Sequence, residues 1–280
     1  MRRVICALVV LALPSSAFAG DFDILRGPVA TYRWAGVYGG VQGGYTSSTV
    51  KLAPAAGPDI SYLLRNQAIL LDQQISQWPL LSNRTPSSEG VGGFVGYNLE
   101  WENTIILGLE LNYNHVSLSA SSSGVLPNQG FTDSTNLPAG HHYVYSLTAS
   151  GQASLSMTDI AQFRARAGWE AGNFLPYAFA GFAVGRANIS STATISYTAV
   201  DHPDSEVPAL PPLNPLSFFG TQGNSQNNAL AYGVSMGFGT DIALTANLFV
   251  RAELEHIYFA PVDGVQVSVS TARVGAGLKF

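Results

Sequence analysis

Apolar and polar residues alternate along several stretches of the chain, and a period of two is the pattern of a β-strand with one apolar face. In the stretch 104–113, Leu107, Leu109 and Leu111 share one face, whereas Glu110 lies on the other. Most such stretches are close to the ~9–11 residues that a tilted strand needs to cross a bilayer. The alternation predicts eight strands, over residues 34–45, 91–99, 104–113, 159–169, 175–186, 229–239, 248–258 and 265–280.

The links between these strands alternate in length. Long links at residues 46–90, 114–158 and 187–228 alternate with short ones, and the last external link, 259–264, is also short and reads as a tight hairpin. Short periplasmic turns, long external loops and an even number of strands are typical of outer-membrane barrels. The sequence therefore predicts an all-β fold, an eight-stranded antiparallel up-and-down transmembrane β-barrel with three long extracellular loops.

Within the long links, weaker patterns remain. Residues 143–149 and 189–199 alternate well enough to carry two strands above the membrane surface. The apolar residues between Ile60 and Trp78 are spaced as in a helix. We expect this helix to cover its own loop, and the alternative is that it packs on the barrel mouth or on a partner. The third link is rich in Pro between residues 203 and 215 and then in Gln and Asn, and we expect it to be exposed and irregular.

Aromatic residues cluster at the predicted strand ends, as they do in the two aromatic girdles of membrane barrels. A soluble β-sandwich would hold such rings in its core, and that alternative does not explain their clustering at strand ends. We predict a periplasmic girdle made of Trp34, Trp101, Trp169 and Phe249.

The chain ends on an alternating aromatic strand. Ala276, Leu278 and Phe280 share one face, and Phe280 is the last residue. A terminal strand of this kind resembles the signal by which the outer-membrane insertion machinery recognises its clients. We therefore expect that machinery as a partner, together with the lipid of the outer membrane.

The first residues have the pattern of a secretory signal. A basic start precedes the apolar run 4–13, and Ala17-Phe18-Ala19 supplies the small residues of a cleavage site. The run is shorter than the ~20 residues of a membrane-spanning helix, which was the alternative. We predict a signal peptide over 1–19, a short periplasmic segment over 20–33 and a barrel over 34–280, located in the cell outer membrane.

Composition and charge narrow the choice of function. The chain is 46% hydrophobic but only 11% charged, far below the ~25% of soluble domains. The net charge of -5 argues against nucleic acid as a partner. Cys6 is the single cysteine and lies in the predicted signal peptide, so the mature chain has no disulfide or cysteine-ligated metal.

Short motifs rich in glycine and aromatic residues run through most of the predicted strands. Examples are Trp34-Ala-Gly-Val-Tyr-Gly-Gly, Gly92-Gly-Phe-Val-Gly-Tyr-Asn and Arg164-Ala-Arg-Ala-Gly-Trp. As a set they resemble the porin-like, immunogenic small outer-membrane proteins of alphaproteobacteria. The resemblance implies an eight-stranded barrel that contributes to envelope integrity, described either as a porin or as a haem-binding surface protein. The matched strands do not choose between the two.

Charged residues lie on the polar face of the predicted strands, which is the inward face. The interior of an eight-stranded barrel is just wide enough for side chains to fill, and unpaired buried ions are costly. We therefore predict a structural ion-pair network, which leaves at most a narrow path for solutes. Its predicted members are Glu110, Arg164, Arg166, Arg251, Glu253, Glu255, Arg273 and Lys279.

Candidate chemistry in the loops is sparse. His141 and His142, followed by two tyrosines, are candidates for haem or metal ligation, and the alternative is a polar loop that leads into a strand. No G-x-S-x-G motif is present. We expect no enzyme activity and no cofactor.

Three functions follow from these observations. The first is a barrel that contributes to envelope integrity, with narrow porin-like permeability. The second is a surface binding protein that uses its long loops to hold haem, a host factor or a neighbouring molecule. The third is a lipid-active barrel enzyme, and its only support is the presence of scattered Ser, Asp and His residues.

Overall fold

A computed structural model describes residues 32–67, 69, 73–102, 104–204, 211–262 and 264–280. The predicted signal peptide over 1–19 and nearly all of the predicted periplasmic segment over 20–33 lie outside these residues. Among the described residues, no helix is long and apolar enough to cross a membrane.

Eight antiparallel strands follow one another around a closed ring, with β1 paired to β2 and also to β8. Closure satisfies the backbone hydrogen bonds of every strand inside the ring, which is what a spanning sheet needs in lipid. The predicted eight-stranded up-and-down barrel is confirmed. The strands are β1 Gly36–Lys51, β2 Ser87–Trp101, β3 Ile105–Asp133, β4 Tyr143–Trp169, β5 Phe174–Asp201, β6 Leu216–Ala243, β7 Leu248–Phe259 and β8 Gln266–Lys279.

In the lower part of the barrel the outward face is apolar and the inward face is polar. On β1, Val41 is exposed while its neighbour Gln42 is buried, and on β3 the exposed Leu109 precedes the buried Glu110. Exposed tyrosines, such as Tyr113, mark the upper limit of this apolar band. Soluble proteins have apolar residues inside and polar residues outside. The opposite arrangement here shows that lipid surrounds this part of the barrel.

Four strands are far longer than the eight predicted segments. Residues 143–149 and 189–199 extend β4 and β5 above the membrane, as the weaker alternation predicted, whereas the extensions of β3 and β6 were not predicted. The predicted loops 114–158 and 187–228 are mostly strand, because β3 to β6 continue above the apolar band as a four-stranded sheet. We call this part the extension; it comprises residues 116–133, 143–158, 187–201 and 216–229. The Gln- and Asn-rich segment that we expected to be irregular is therefore the first half of β6.

The polarity of the two faces is reversed in the extension. Its inward side chains are apolar, for example Leu147 and Ile195, and its outward ones are mostly Ser and Thr. A bulge between Met157 and Asp159 shifts the register of β4, so that Met157 and Ile160 both point inward. The reversal occurs where lipid gives way to water.

The first long link fills the open side of the extension. It contains the helix α1 (Gly57–Leu63) and two 3₁₀ helices, Ala53–Ala56 and Ile75–Gln77. Ile60, Leu64 and Ile75 are fully buried in one apolar cluster with the inward face of β3 to β6. We call this cluster the upper core. The helical segment therefore packs on the barrel mouth, which was the alternative to covering its own loop, and the helix is shorter than the spacing suggested.

The predicted hairpin between β7 and β8 is also present. Val262 and Val265 exchange two backbone hydrogen bonds of 3.0 and 2.9 Å. Gly264 has a φ of 76°, a left-handed conformation that glycine adopts without strain.

Candidate functional site

Four arginines and four acidic residues meet in the middle of the barrel. All are inward-facing members of β3, β4, β6, β7 and β8, and each is 5% exposed or less. Four positive and four negative charges balance, as burial in a low dielectric requires. This lumen network consists of Glu110, Arg164, Arg166, Asp241, Arg251, Glu253, Glu255 and Arg273.

Arg164 is the centre of the lumen network. Its guanidinium pairs with Glu110, lies 3.1 Å from Glu253 and 3.4 Å from Glu255, and is 1% exposed. Glu110 also accepts a 2.7 Å hydrogen bond from Arg251. A planar guanidinium with five N–H donors suits such multiple contacts. Removal of Arg164 would take one partner from three carboxylates and leave the network with one uncompensated negative charge.

Asp241 joins the network from β6. It accepts hydrogen bonds of 2.7 Å from Arg166 and 2.8 Å from Arg251. Asp241 was not among the predicted members because the predicted strand ended at residue 239, although Asp241 continues the alternation of Gly237 and Gly239.

An aromatic layer lies beneath the network, at the periplasmic end. Arg251 lies 4.0 Å above the Phe94 ring, Arg166 lies 3.9 Å above Tyr177, and the Tyr38 hydroxyl donates to Glu110 at 2.9 Å. Cation–π contacts of this kind stabilise desolvated arginines. We call this layer the aromatic floor; it consists of Tyr32, Trp34, Tyr38, Phe94, Tyr177, Phe179 and Phe249.

Inward glycines make room for the aromatic floor. The Tyr38 ring lies against Gly96 and the Phe249 ring against Gly277, so closely that a Cβ at either glycine would overlap the ring. At these two positions the missing side chain of glycine therefore makes the close packing of the rings possible.

Above the network the lumen contains amides and then the upper core. Gln42 bridges Asn112 and Asn114 with hydrogen bonds of 3.0 and 2.7 Å. A cavity of about 20 Å³, lined in part by Gln162 and Arg273, has room for about one water. Over this layer the first long link closes the barrel with apolar side chains.

Seven of the eight residues predicted for the network belong to it. Lys279 does not: its amino group donates to the Arg33 carbonyl at the periplasmic rim and lies 5.4 Å from the Tyr32 ring. Position explains the difference, because Lys279 is the last residue of β8 and lies below the charged layer.

The assignment of two residues, Trp34 and Phe249, to the periplasmic girdle was wrong. Trp34, 3% exposed, and Phe249 are buried in the aromatic floor, whereas Trp101 and Trp169 are exposed on the outer surface. The alternation gives the reason. Trp34 is an even number of residues from the inward Tyr38, and Phe249 is two residues from the inward Arg251, so both side chains point into the lumen. Tyr32, assigned to a periplasmic segment, belongs to the aromatic floor as well.

The C-terminal residues have the predicted orientation. Ala276, Leu278 and Phe280 are all exposed on the lipid-facing side of β8. Their role in recognition by the insertion machinery stays a prediction.

The predicted histidine pair lies at the outer tip of the extension. His141 is 7% exposed, and its Nδ1 lies 2.6 Å from Asp201, which also accepts the Leu213 N–H at 2.8 Å. Burial raises the pKa of the Asp201 carboxyl, but these hydrogen bonds outweigh burial and hold the pKa below its ordinary value. His142 lies 3.5 Å from Asp204.

These contacts give the histidines a structural role at the tip. Among the described residues, no group of three or more His, Cys, Asp or Glu is arranged to hold a metal. The His141 ring is buried and engaged, so it does not present itself to a haem.

Comparison with known proteins identifies one family and several similar structures. The family model described as outer membrane protein beta-barrel domain matches residues 5–280. A search of curated protein sequences finds no match.

Three similar solved structures are small outer-membrane proteins. The chain is 13% identical to Ail of Yersinia pestis in complex with the heparin analogue sucrose octasulfate, with a TM-score of 0.32, covering 88% of this chain and 99% of that one. Neisserial surface protein A is 12% identical with a TM-score of 0.36, and the match covers 88% of this chain and 98% of that one. OprG from Pseudomonas aeruginosa is 11% identical with a TM-score of 0.33, and the match covers 88% of this chain and 96% of that one.

Proposed function

The chain belongs to the outer membrane protein beta-barrel domain family and lies in the outer membrane, and from this premise we propose that it is a closed barrel which displays an extracellular interaction surface. It stabilises the envelope as a static membrane element and does not conduct solutes. This proposal favours the surface-binding function over porin-like permeability.

The observation that carries the proposal is the filled lumen. An aromatic floor, a charge-balanced network, a layer of amides and an apolar upper core follow one another and occupy the barrel from end to end. Opening a path would require the separation of several buried ion pairs, which costs about 3–5 kcal/mol for each pair that is broken.

The extension supports the second half of the proposal. Four strands of 27 to 29 residues rise above the apolar band and enclose their own apolar core. A sheet packed on a core is rigid, so it can present an outward face in a fixed geometry.

Catalysis has no support in this arrangement. The charged residues of the lumen are paired with one another, and the histidines at the tip are engaged with aspartates. We propose that the protein is not an enzyme.

Single-channel recording in planar bilayers tests the proposal. We expect flat traces from the full-length mature protein whose folding has been verified by its shift in gel migration on heating. The same sample, denatured by heat before addition, is the control for leaks. Discrete conductance steps from the folded sample that are absent from the denatured one would refute the closed barrel.

A further inference from the structure

On three strands of the extension, β3 to β5, the outward face contains a continuous array of hydroxyl and amide groups, whereas Val125, Val144, Val200 and Phe219 are exposed apolar residues on the same side of the extension. Over residues 117–123, 146–156 and 188–198, every outward side chain is Ser, Thr, Asn or Gln. Soluble domains carry ~25% charged residues, so an exposed sheet face of this size without charge is unusual. The face is suited to a neutral polar partner.

This face contains a trough of about 270 Å³ that crosses all four strands of the extension. The backbone of the strands forms its floor, because the apolar residues beside it, such as Leu155 and Ile189, point inward. Serines that are paired across neighbouring strands form two rows along it. The upper row is Ser121, Ser154, Ser190 and Ser225, and the lower row begins with Ser119 and Ser156.

The serine hydroxyls of these rows are available to a ligand. Within the part of the chain that the structure describes, none of the six makes a side-chain hydrogen bond to another residue. Each hydroxyl can donate one hydrogen bond and accept two. Such an array is complementary to a neutral polyhydroxyl ligand, whereas an anion would require arginine or lysine.

The trough lies just above the level of the phospholipid head groups. Ser119 comes six residues after the girdle residue Tyr113. At ~3.3 Å per residue and a tilt of ~45°, this places the trough ~14 Å above the apolar band. Phospholipid head groups extend only about 5–8 Å beyond the hydrocarbon. A sugar attached to a lipid would reach the trough.

A cation lies between the girdle and the trough. Arg186 projects outward from β5, and among the described residues its guanidinium forms one side-chain hydrogen bond, from Nε to Asn228 at 2.8 Å. Asp159 is opposite Arg186 on β4, but its carboxylate already accepts hydrogen bonds from Tyr113 and His115. Arg186 is therefore placed to contact an anionic group at the base of a lipid-linked sugar.

We propose that the trough binds the neutral saccharide of a glycolipid in the protein's own outer leaflet. The proposal rests on the proposed function, since it takes the extension as an interaction surface and names its partner. The trough lies on the same strands as the lipid-facing surface, above it and on the same outward side, so the acyl chains of one glycolipid can lie against the lipid-facing surface while its sugar reaches the trough.

Native mass spectrometry of the full-length mature protein in detergent tests the proposal. The probe is a synthetic diacylglycerol with a neutral disaccharide head group, compared with the same diacylglycerol without sugar and with the free disaccharide. We expect the wild-type protein to retain the glycolipid about tenfold or more over both, which corresponds to about 1.4 kcal/mol.

Two variants locate the binding. Replacement of Ser121, Ser154, Ser156 and Ser190 by Ala should abolish the preference, and the bulky Ser154→Trp should do the same if the fourfold variant fails to fold. The matched control replaces Ser146, Thr148, Ser196 and Thr198 by Ala; these lie higher on the same face, and the preference should remain.

Three results would overturn the proposal. The first is that the wild type retains the glycolipid and the sugar-free lipid equally. The second is that the trough variants and the control lose the preference for the glycolipid equally. The third is that the wild type binds the free disaccharide as well as the glycolipid. None of them affects the closed lumen. Channel activity, in turn, would refute the closed barrel and leave the trough assignment standing.

Discussion

Single residues in this barrel owe their environment to the parity of their position. Trp34 and Trp169 both lie near the periplasmic end, yet Trp34 is buried in the aromatic floor and Trp169 is 60% exposed to lipid. A shift of one position moves a side chain from the lumen to the membrane. The environment of a tryptophan near a strand end is therefore determined by whether its position faces the lumen or the lipid, and not by its distance from the strand end.

Arg164→Met tests the lumen network at the residue scale. The change leaves Glu110, Glu253 and Glu255 without their shared partner, and we expect the free energy of unfolding to fall by about 3–5 kcal/mol. Urea unfolding in lipid vesicles, followed by tryptophan fluorescence, measures the loss.

The matched control is Lys279→Met, which removes a cation at the rim of the same barrel. It breaks one hydrogen bond to the Arg33 carbonyl, so a loss of about 1 kcal/mol is expected. Equal unfolding midpoints for the two variants would show that the network contributes nothing specific.

At the scale of single elements, each long strand passes through two environments. β4 presents Phe163 to lipid below its bulge and Thr148 to water above it, while its inward face changes from Arg164 to Leu147. The strand is continuous because the backbone ladder to β3 and β5 does not depend on which solvent lies outside.

Leu147→Ala tests whether the upper core holds the extension. Leu147 is 0% exposed, and the cavity left by this change costs about 2–5 kcal/mol. We expect faster hydrogen exchange in residues 143–157 and 189–199, measured by mass spectrometry, with unchanged protection in residues 105–113.

Thr148→Ala serves as the control for this variant, because Thr148 is the next residue and points outward. It should leave exchange in all three segments unchanged. Equal deprotection of residues 105–113 by Leu147→Ala would mean that the extension and the membrane barrel unfold as one unit.

At the scale of the whole molecule, the described residues from Tyr32 onward form two cores stacked along one set of strands. The membrane part is held by the lumen network, the aromatic floor and the closed ladder, and the extension is held by the upper core. Only the membrane part is a closed ring, because the pairing of β2 with β3 ends at Gly90 and that of β6 with β7 ends at Gly233.

A shortened chain tests this division. We replace residues 117–157 and 188–228 each by Asn-Gly, which favours a two-residue hairpin, and residues 48–86 by a Gly-Ser linker. The variant should still shift in gel migration on heating, as the full-length protein run beside it does, since the network and the floor are retained. A variant that migrates identically before and after heating would show that the membrane part depends on the extension.

Local alternation was sufficient to predict much of this protein. It gave the number of strands, their order around the ring and seven members of the lumen network, because side-chain direction in a strand depends only on sequence parity. For the extension it was only partly sufficient: it indicated the upper parts of β4 and β5, over 143–149 and 189–199, but not those of β3 and β6. There the apolar face turns inward, and the remaining residues of 114–158 and 187–228 are so rich in polar side chains that they resemble loops.

The sequence by itself determined which residues face the lumen, since that property is local. Only the tertiary structure decided which of them meet: Arg164 pairs with Glu110 and Glu253, which are 54 and 89 positions away in the chain. The tertiary structure also decided that the first long link fills the extension and that Trp34 and Phe249 close the floor. Such contacts depend on ring closure, which brings distant strands to face one another across a space just wide enough for their side chains.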